Sequence, residues 1–156
     1  MSQLDAEEAV LKRDILAAFS AVPHPENVAD CLDPIEAERC RKLLAGKRVE
    51  DWKDRPLEAL TEGIHMTQLS FISAAAYQYY LPLYMLAAAF HWEDADVLPE
   101  ELISSFSRNE DLKLNKRFFE DRFRGFTAAQ LRAILAFLGF MRKRHYQAEH
   151  LDCALK

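Results

Sequence analysis

Hydrophobic positions crowd one stretch of the chain, from Phe71 to Trp92, where Ser73, Gln78 and His91 are the few polar interruptions among alanines, leucines and four tyrosines. Tyr77, Tyr80, Leu81, Tyr84 and Ala88 recur at helical spacing on one face, and Tyr79, Leu83, Leu86 and Phe90 on another. A helix that is apolar all round is normally buried on every side. The pattern therefore predicts a buried central helix over about 71–91. Pro82 lies inside it, frees the carbonyl of Gln78 and favours a kink. About 20 apolar residues are enough to span a bilayer. Pro82, Gln78, Ser73 and the tyrosines dilute this stretch, and it has no basic flank or second span, so no membrane role is expected.

Three helix starts are written in capping chemistry, a cap residue followed three positions later by Glu or Gln. Asp5 with Glu8 opens a first helix whose Leu11, Ile15, Ala18, Phe19 and Val22 form one apolar face, ended by Pro23 and Pro25. Asp33 with Glu36 opens a second over 34–45, with Pro34 at its first position and Gly46 just past its end. Thr127 with Gln130 opens the last. There Phe126 is placed to staple onto Leu131, the apolar stripe reads Leu131, Ile134, Leu135 and Leu138, and Arg142-Lys143-Arg144 suit the negative end of the helix dipole.

Residues 47–70 have an irregular polar pattern and predict a loop with one helical turn near Leu57–Leu60, without a strand. Residues 93–126 predict two short helices, one after Pro99 and one around Leu112, Phe119 and Phe123. Length and composition add a bound. A chain of 156 residues, half of them hydrophobic and 29% charged, has the size of a single domain. The expectation is an all-α fold, one compact domain over 1–156 with five or six helices around the central one.

The net charge of −5 works against an unaided grip on nucleic acid or anionic lipid, since phosphate neutralisation supplies most of that affinity. Cys31, Cys40 and Cys153 are an odd, widely spaced set, poor material for disulfides. The acidic N-terminus reads as a helix start rather than a leader. Together these features predict a cytoplasmic protein.

Catalytic patterns are sparse. His145 and Glu149 stand four apart, and His24, Cys31 and Cys40 share a region, but neither CxxC nor HExxH occurs, so no metal site is expected. Four scattered glycines make no phosphate loop, and no GxSxG elbow is present, so neither a cofactor nor a catalytic residue is assigned. Basic residues concentrate from Arg39 to Arg55 (Arg39, Arg41, Lys42, Lys47, Arg48, Lys53, Arg55), interleaved with carboxylates. Lys116, Arg117, Arg122 and Arg124 among phenylalanines could imitate a nucleic-acid surface, but spacing explains them equally as the wet face of an amphipathic helix.

At Tyr79-Tyr80-Leu81-Pro82, with Asp94-Ala95-Asp96-Val97-Leu98-Pro99 downstream and Phe126-Thr127-Ala128-Ala129-Gln130-Leu131 running into Phe137-Leu138, the chain resembles domain-of-unknown-function family 6714, a group of small bacterial proteins. Where that family has Gly-Lys-x-Trp, this chain has Gly46-Lys47-Arg48-Val49 and carries its tryptophan at Trp52. The resemblance implies one compact domain and assigns no activity.

The expected function is accordingly a non-enzymatic protein-binding module, immunity- or antitoxin-like, with Arg41, Lys42, Trp52 and Trp92 as partner-binding residues. The alternative is a small-ligand protein or enzyme that uses a tyrosine-lined interior, with Tyr77, Tyr80 and Tyr84 as its lining and His91 as the nearest acid or base.

Overall fold

In a computed structural model of the chain, residues 3–61, 69–106 and 120–145 are described. Among them the fold is all-α. Five helices have eight residues or more: α1 Gln3–Phe19, α2 Pro34–Leu44, α5 Ala74–Phe90, α6 Leu98–Ser105 and α7 Ala128–Arg144. Two short helices, α3 Val49–Trp52 and α4 Pro56–Thr61, occupy the stretch where one turn was expected. The helix expected around Leu112 falls mostly outside the described residues; its last turn is helical at 120–123.

α5 is the axis. Every residue from Tyr80 to Ala89 is buried, with α1, α3, α4, α6 and α7 packed around it. Its two apolar stripes are thus used at once, and each fully buried leucine or methionine contributes about 1.5–3 kcal/mol of transfer free energy. Ser73 caps its start by accepting from the amide of Ala76, while its own hydroxyl donates to the carbonyl of Asn27 at 2.6 Å. Ala29 and Ile72 form an antiparallel bridge beside that cap, so a short extended segment anchors the head of the central helix. None of the described helices is long and apolar enough to cross a membrane.

The caps follow the sequence with two corrections. Asp33 accepts from the amides of Ile35 and Glu36, and Gly46 adopts φ +81° past α2, a left-handed conformation that glycine takes without a Cβ penalty. Thr127 and Gln130 form a complete capping box, both bonds at 3.1 Å. Thr127→Ala is expected to lower stability by about 1 kcal/mol in urea unfolding, the usual effect of losing an N-cap. Asp5, by contrast, lies inside the first turn of α1 and not before it, where a carboxylate favours the helix dipole.

The second correction concerns the phase of α7. Leu131 and Leu135 are 44% and 49% exposed, and the buried face consists of Ala133, Ile134, Phe137, Leu138, Phe140 and Met141. The helix uses its aromatic and alanine side against α1 and α5, and two leucines are left in water. Phe126, just before the cap, packs on Phe19, Tyr77 and Phe123.

Candidate functional site

The tyrosines of α5 are wired into the core. Tyr77, Tyr80 and Tyr84 are at most 1% exposed. Ser105 donates its hydroxyl hydrogen to the carbonyl of Leu102, so in the 2.7 Å contact between Tyr77 and Ser105 the tyrosine donates. Tyr80 shares its hydroxyl hydrogen between the carbonyls of Leu44, at 2.7 Å, and Lys47, at 2.9 Å, and thereby ties the end of α2 to the axis. His24 lies against the same hub, with Nε2 3.1 Å from the Lys47 carbonyl and its ring edge-on to Tyr79. Tyr79 accepts from the amide of Val49 and so fixes the start of α3. The hydroxyls of Tyr77, Tyr79 and Tyr80 each meet another segment of the chain, which supports the core role of these rings.

Burial pushes the phenols of Tyr77 and Tyr80 well above their ordinary range and the Cys40 thiol up to about 11. These acids ionise at their ordinary values in the unfolded chain and resist ionisation when folded, so their stabilisation is complete below about pH 8.5 and is lost as pH rises. Arg122 has the opposite sign: burial lowers it to about 10, so above that pH the folded chain releases a proton that the unfolded one retains, a partial offset. With three groups against one, the melting temperature is expected to hold from pH 7 to 8 and to fall between about 9 and 11. A flat melting profile by circular dichroism through pH 11 would contradict this.

Arg122 is also a correction to the sequence reading. It is 4% exposed, not on a wet face. Its guanidinium donates to the carbonyls of Leu69 and Ile72, at 2.5 and 3.1 Å, and lies 4.5 Å over the Tyr77 ring. Charge spread over a planar group makes such stacking and burial possible for arginine. Arg124 is exposed as expected, whereas Lys116 and Arg117 lie outside the described residues.

The partner-binding candidates are spread over three places. Arg41 and Lys42 are exposed on α2. Trp52, half-buried on α3, has the Lys47 ammonium and the Arg55 guanidinium 4.7 and 4.6 Å over its ring, a cation–π arrangement made by the Gly46-Lys47 stretch itself. Trp92 stacks on His145, centroids 5.0 Å apart and planes 3° apart. His91 and Trp92 meet at an open cleft of about 250 Å³ between the ends of α5 and α7, lined also by Glu8, Glu93, Asp94, Arg144 and His145.

Among the described residues no group of three or more His, Cys, Asp or Glu could hold a metal ion, and Glu149 lies outside them. Sequence reasoning passed over Leu32 and Ile35, which bracket the cap of α2 at 104% and 64% exposure. The signal was present in Ile35, which is out of phase with the Ala37, Cys40 and Leu44 that α2 buries.

A model of the family of unknown function DUF6714 matches residues 8–155. The chain belongs to DUF6714. No curated protein and no solved structure matches it. The stretches on which the sequence resemblance was read are structural in this chain. Tyr79-Tyr80-Leu81-Pro82 is the hub of α5, Asp94–Pro99 turns the chain from α5 into α6, and Phe126–Leu131 carries the capping box of α7. Asp96 takes φ 52° in that turn, a conformation aspartate tolerates better than most residues.

Proposed function

We propose that this DUF6714 protein is a non-enzymatic protein-binding module that docks a partner on the outward face of α2. The observation that carries the proposal is the pair Leu32 and Ile35, the most exposed large hydrophobic side chains among the described residues. Apolar groups held in water at a rigid helix start gain about 1.5–3 kcal/mol each when a partner covers them. Helical spacing sets Ile35, Arg39 and Lys42 on one face, with Arg41 on its flank about 100° round the helix from Lys42. The face thus offers apolar anchors at one end and cations at the other, which fits a partner segment of apolar side chains followed by carboxylates.

Among the described residues the basic stretch is threaded with ion pairs, Arg39 with Glu36, Arg41 with Glu38, Lys53 with Glu50 and Arg55 with Glu58, and Lys47 donates to the carbonyl of Ala59. Such a mixed surface supports protein recognition over phosphate tracking, which needs unbroken positive charge. An immunity- or antitoxin-like role in a bacterial cytoplasm is the specific form of this reading; the free thiols of Cys31 and Cys40 fit a reducing compartment.

The full chain, immobilised and exposed to extract of its native host, is expected to retain a protein quantifiable by mass spectrometry. Leu32→Ser with Ile35→Ser, and separately Arg41→Glu with Lys42→Glu, should each reduce its recovery roughly tenfold. Melting temperatures should not move, because all four positions are exposed. Recovery of no protein above background, or equal recovery by all three chains, would sink the proposal.

A further inference from the structure

A second surface, remote in sequence from α2, has a different chemistry. The cleft between α5 and α7 is formed where two helices end side by side, α5 at Phe90 and α7 at Arg144, so the negative ends of two backbone dipoles face it. Three carboxylates, Glu8, Glu93 and Asp94, line it. The one arginine or lysine in its lining, Arg144, is engaged. Its guanidinium reaches Glu7 at 3.6 Å and Glu8 at 3.4 Å and lies 4.7 Å over the Phe140 ring. Beyond the rim, residues 95–106 add three acidic side chains, Asp96, Glu100 and Glu101, and no lysine or arginine.

The cleft also has an aromatic wall. Trp92 is half-buried, and its indole is held in place by the parallel His145 ring, which in turn meets the carbonyl of Ala89 through Nε2 at 3.1 Å. Both rings are thereby ordered before any ligand arrives, so little side-chain entropy remains to be lost on binding. A preformed concavity of about 250 Å³ with an indole wall, carboxylates and helix-end carbonyls matches one ligand class in particular. A guanidinium is planar and weakly hydrated, lies against aromatic surface and donates in a fork to carboxylates.

We propose that this cleft receives an arginine side chain from a basic segment of a partner protein, with Glu93 and Asp94 taking the guanidinium hydrogen bonds and Trp92 bearing on its plane. The site is independent of the α2 face, which presents the opposite charge.

The test uses the full chain and two probes, acetyl-Gly-Arg-Gly-amide and acetyl-Gly-Glu-Gly-amide. Proton–nitrogen correlation spectra give one indole signal for each of the two tryptophans, and a Trp52→Phe chain assigns them. Titration with the arginine probe should move the Trp92 signal along a saturating curve and leave the Trp52 signal in place. Glu93→Gln with Asp94→Asn, both exposed positions, should weaken that binding roughly tenfold, while Arg41→Glu with Lys42→Glu should leave it unchanged. A linear or absent response, an equal response to the glutamate probe, or undiminished binding by the Glu93/Asp94 variant would overturn the proposal.

Discussion

Arg122→Ala is expected to lower the stability of the chain by about 3 kcal/mol, a fall in melting temperature of roughly 6 to 12 °C for a domain of this size. The guanidinium bonds the carbonyls of Leu69 and Ile72, which belong to the turn leading into the cap of α5, and covers the Tyr77 ring. Bonds from a charged donor to buried carbonyls contribute about 1.5–3 kcal/mol each, and the stacked cation adds to them. Against this stands the desolvation of a buried charge, several kcal/mol, which is why the net effect is far smaller than the sum.

Arg122→Met separates the two contributions. It restores most of the volume without the charge and should recover about half of the loss. If the methionine chain proves as stable as the parent in urea unfolding followed by circular dichroism, the guanidinium is only filling space there.

Tyr80→Phe is the second large effect, about 2 kcal/mol, and it removes a single oxygen. The ring still fills its place. The Lys47 carbonyl keeps a contact with His24 Nε2 and the Leu44 carbonyl keeps the Lys47 amide at 3.0 Å, but both lose the hydroxyl that ties the end of α2 to the axis. Tyr77→Phe is the control. Ser105 retains its bond to the Leu102 carbonyl when the Tyr77 hydroxyl is gone, so a loss near 1 kcal/mol is expected. Equal losses for the two variants, or a larger one for Tyr77, would show that Tyr80 is not the hub of the fold. The same substitution at Tyr80 should also flatten the alkaline fall in melting temperature, since it removes one of the three groups responsible for it.

Much of the architecture was legible because its signals are local. Asp33 and Pro34, Thr127 and Gln130, and Gly46 act within one turn, on amides and dihedral angles a few residues away, so position in sequence is position in space. The run from Ala74 to Phe90 was legible for a different reason: with no polar face at all, it admits only a place at the centre. The family likeness drew on these same stretches, which is why it described scaffold more clearly than site.

The phase of α7 was not legible. Ile134 and Leu138 of the expected stripe face inward while Leu131 and Leu135 do not, and how far round the helix the buried face extends depends on the surfaces of α1 and α5 that it meets. Arg122 misled for a related reason. Spacing assigns a cation to water, and only the convergence of two carbonyls and a tyrosine face from distant parts of the chain offers it something better.

The candidate surfaces divide in the same way. By itself the sequence determined an all-α domain, its central axis, its main caps and a basic stretch from Arg39 to Arg55, because propensity, periodicity and capping are properties of neighbouring residues. The tertiary structure alone decided that Leu32 and Ile35 stay in water, that the hydroxyls of Tyr77 and Tyr80 end on Ser105 and on the close of α2, and that Glu8, Trp92 and His145 share one cleft. Those outcomes are set by which surfaces meet across 28 residues of chain, as from Tyr77 to Ser105, up to 136, as from Glu8 to Arg144, and no local pattern encodes that meeting.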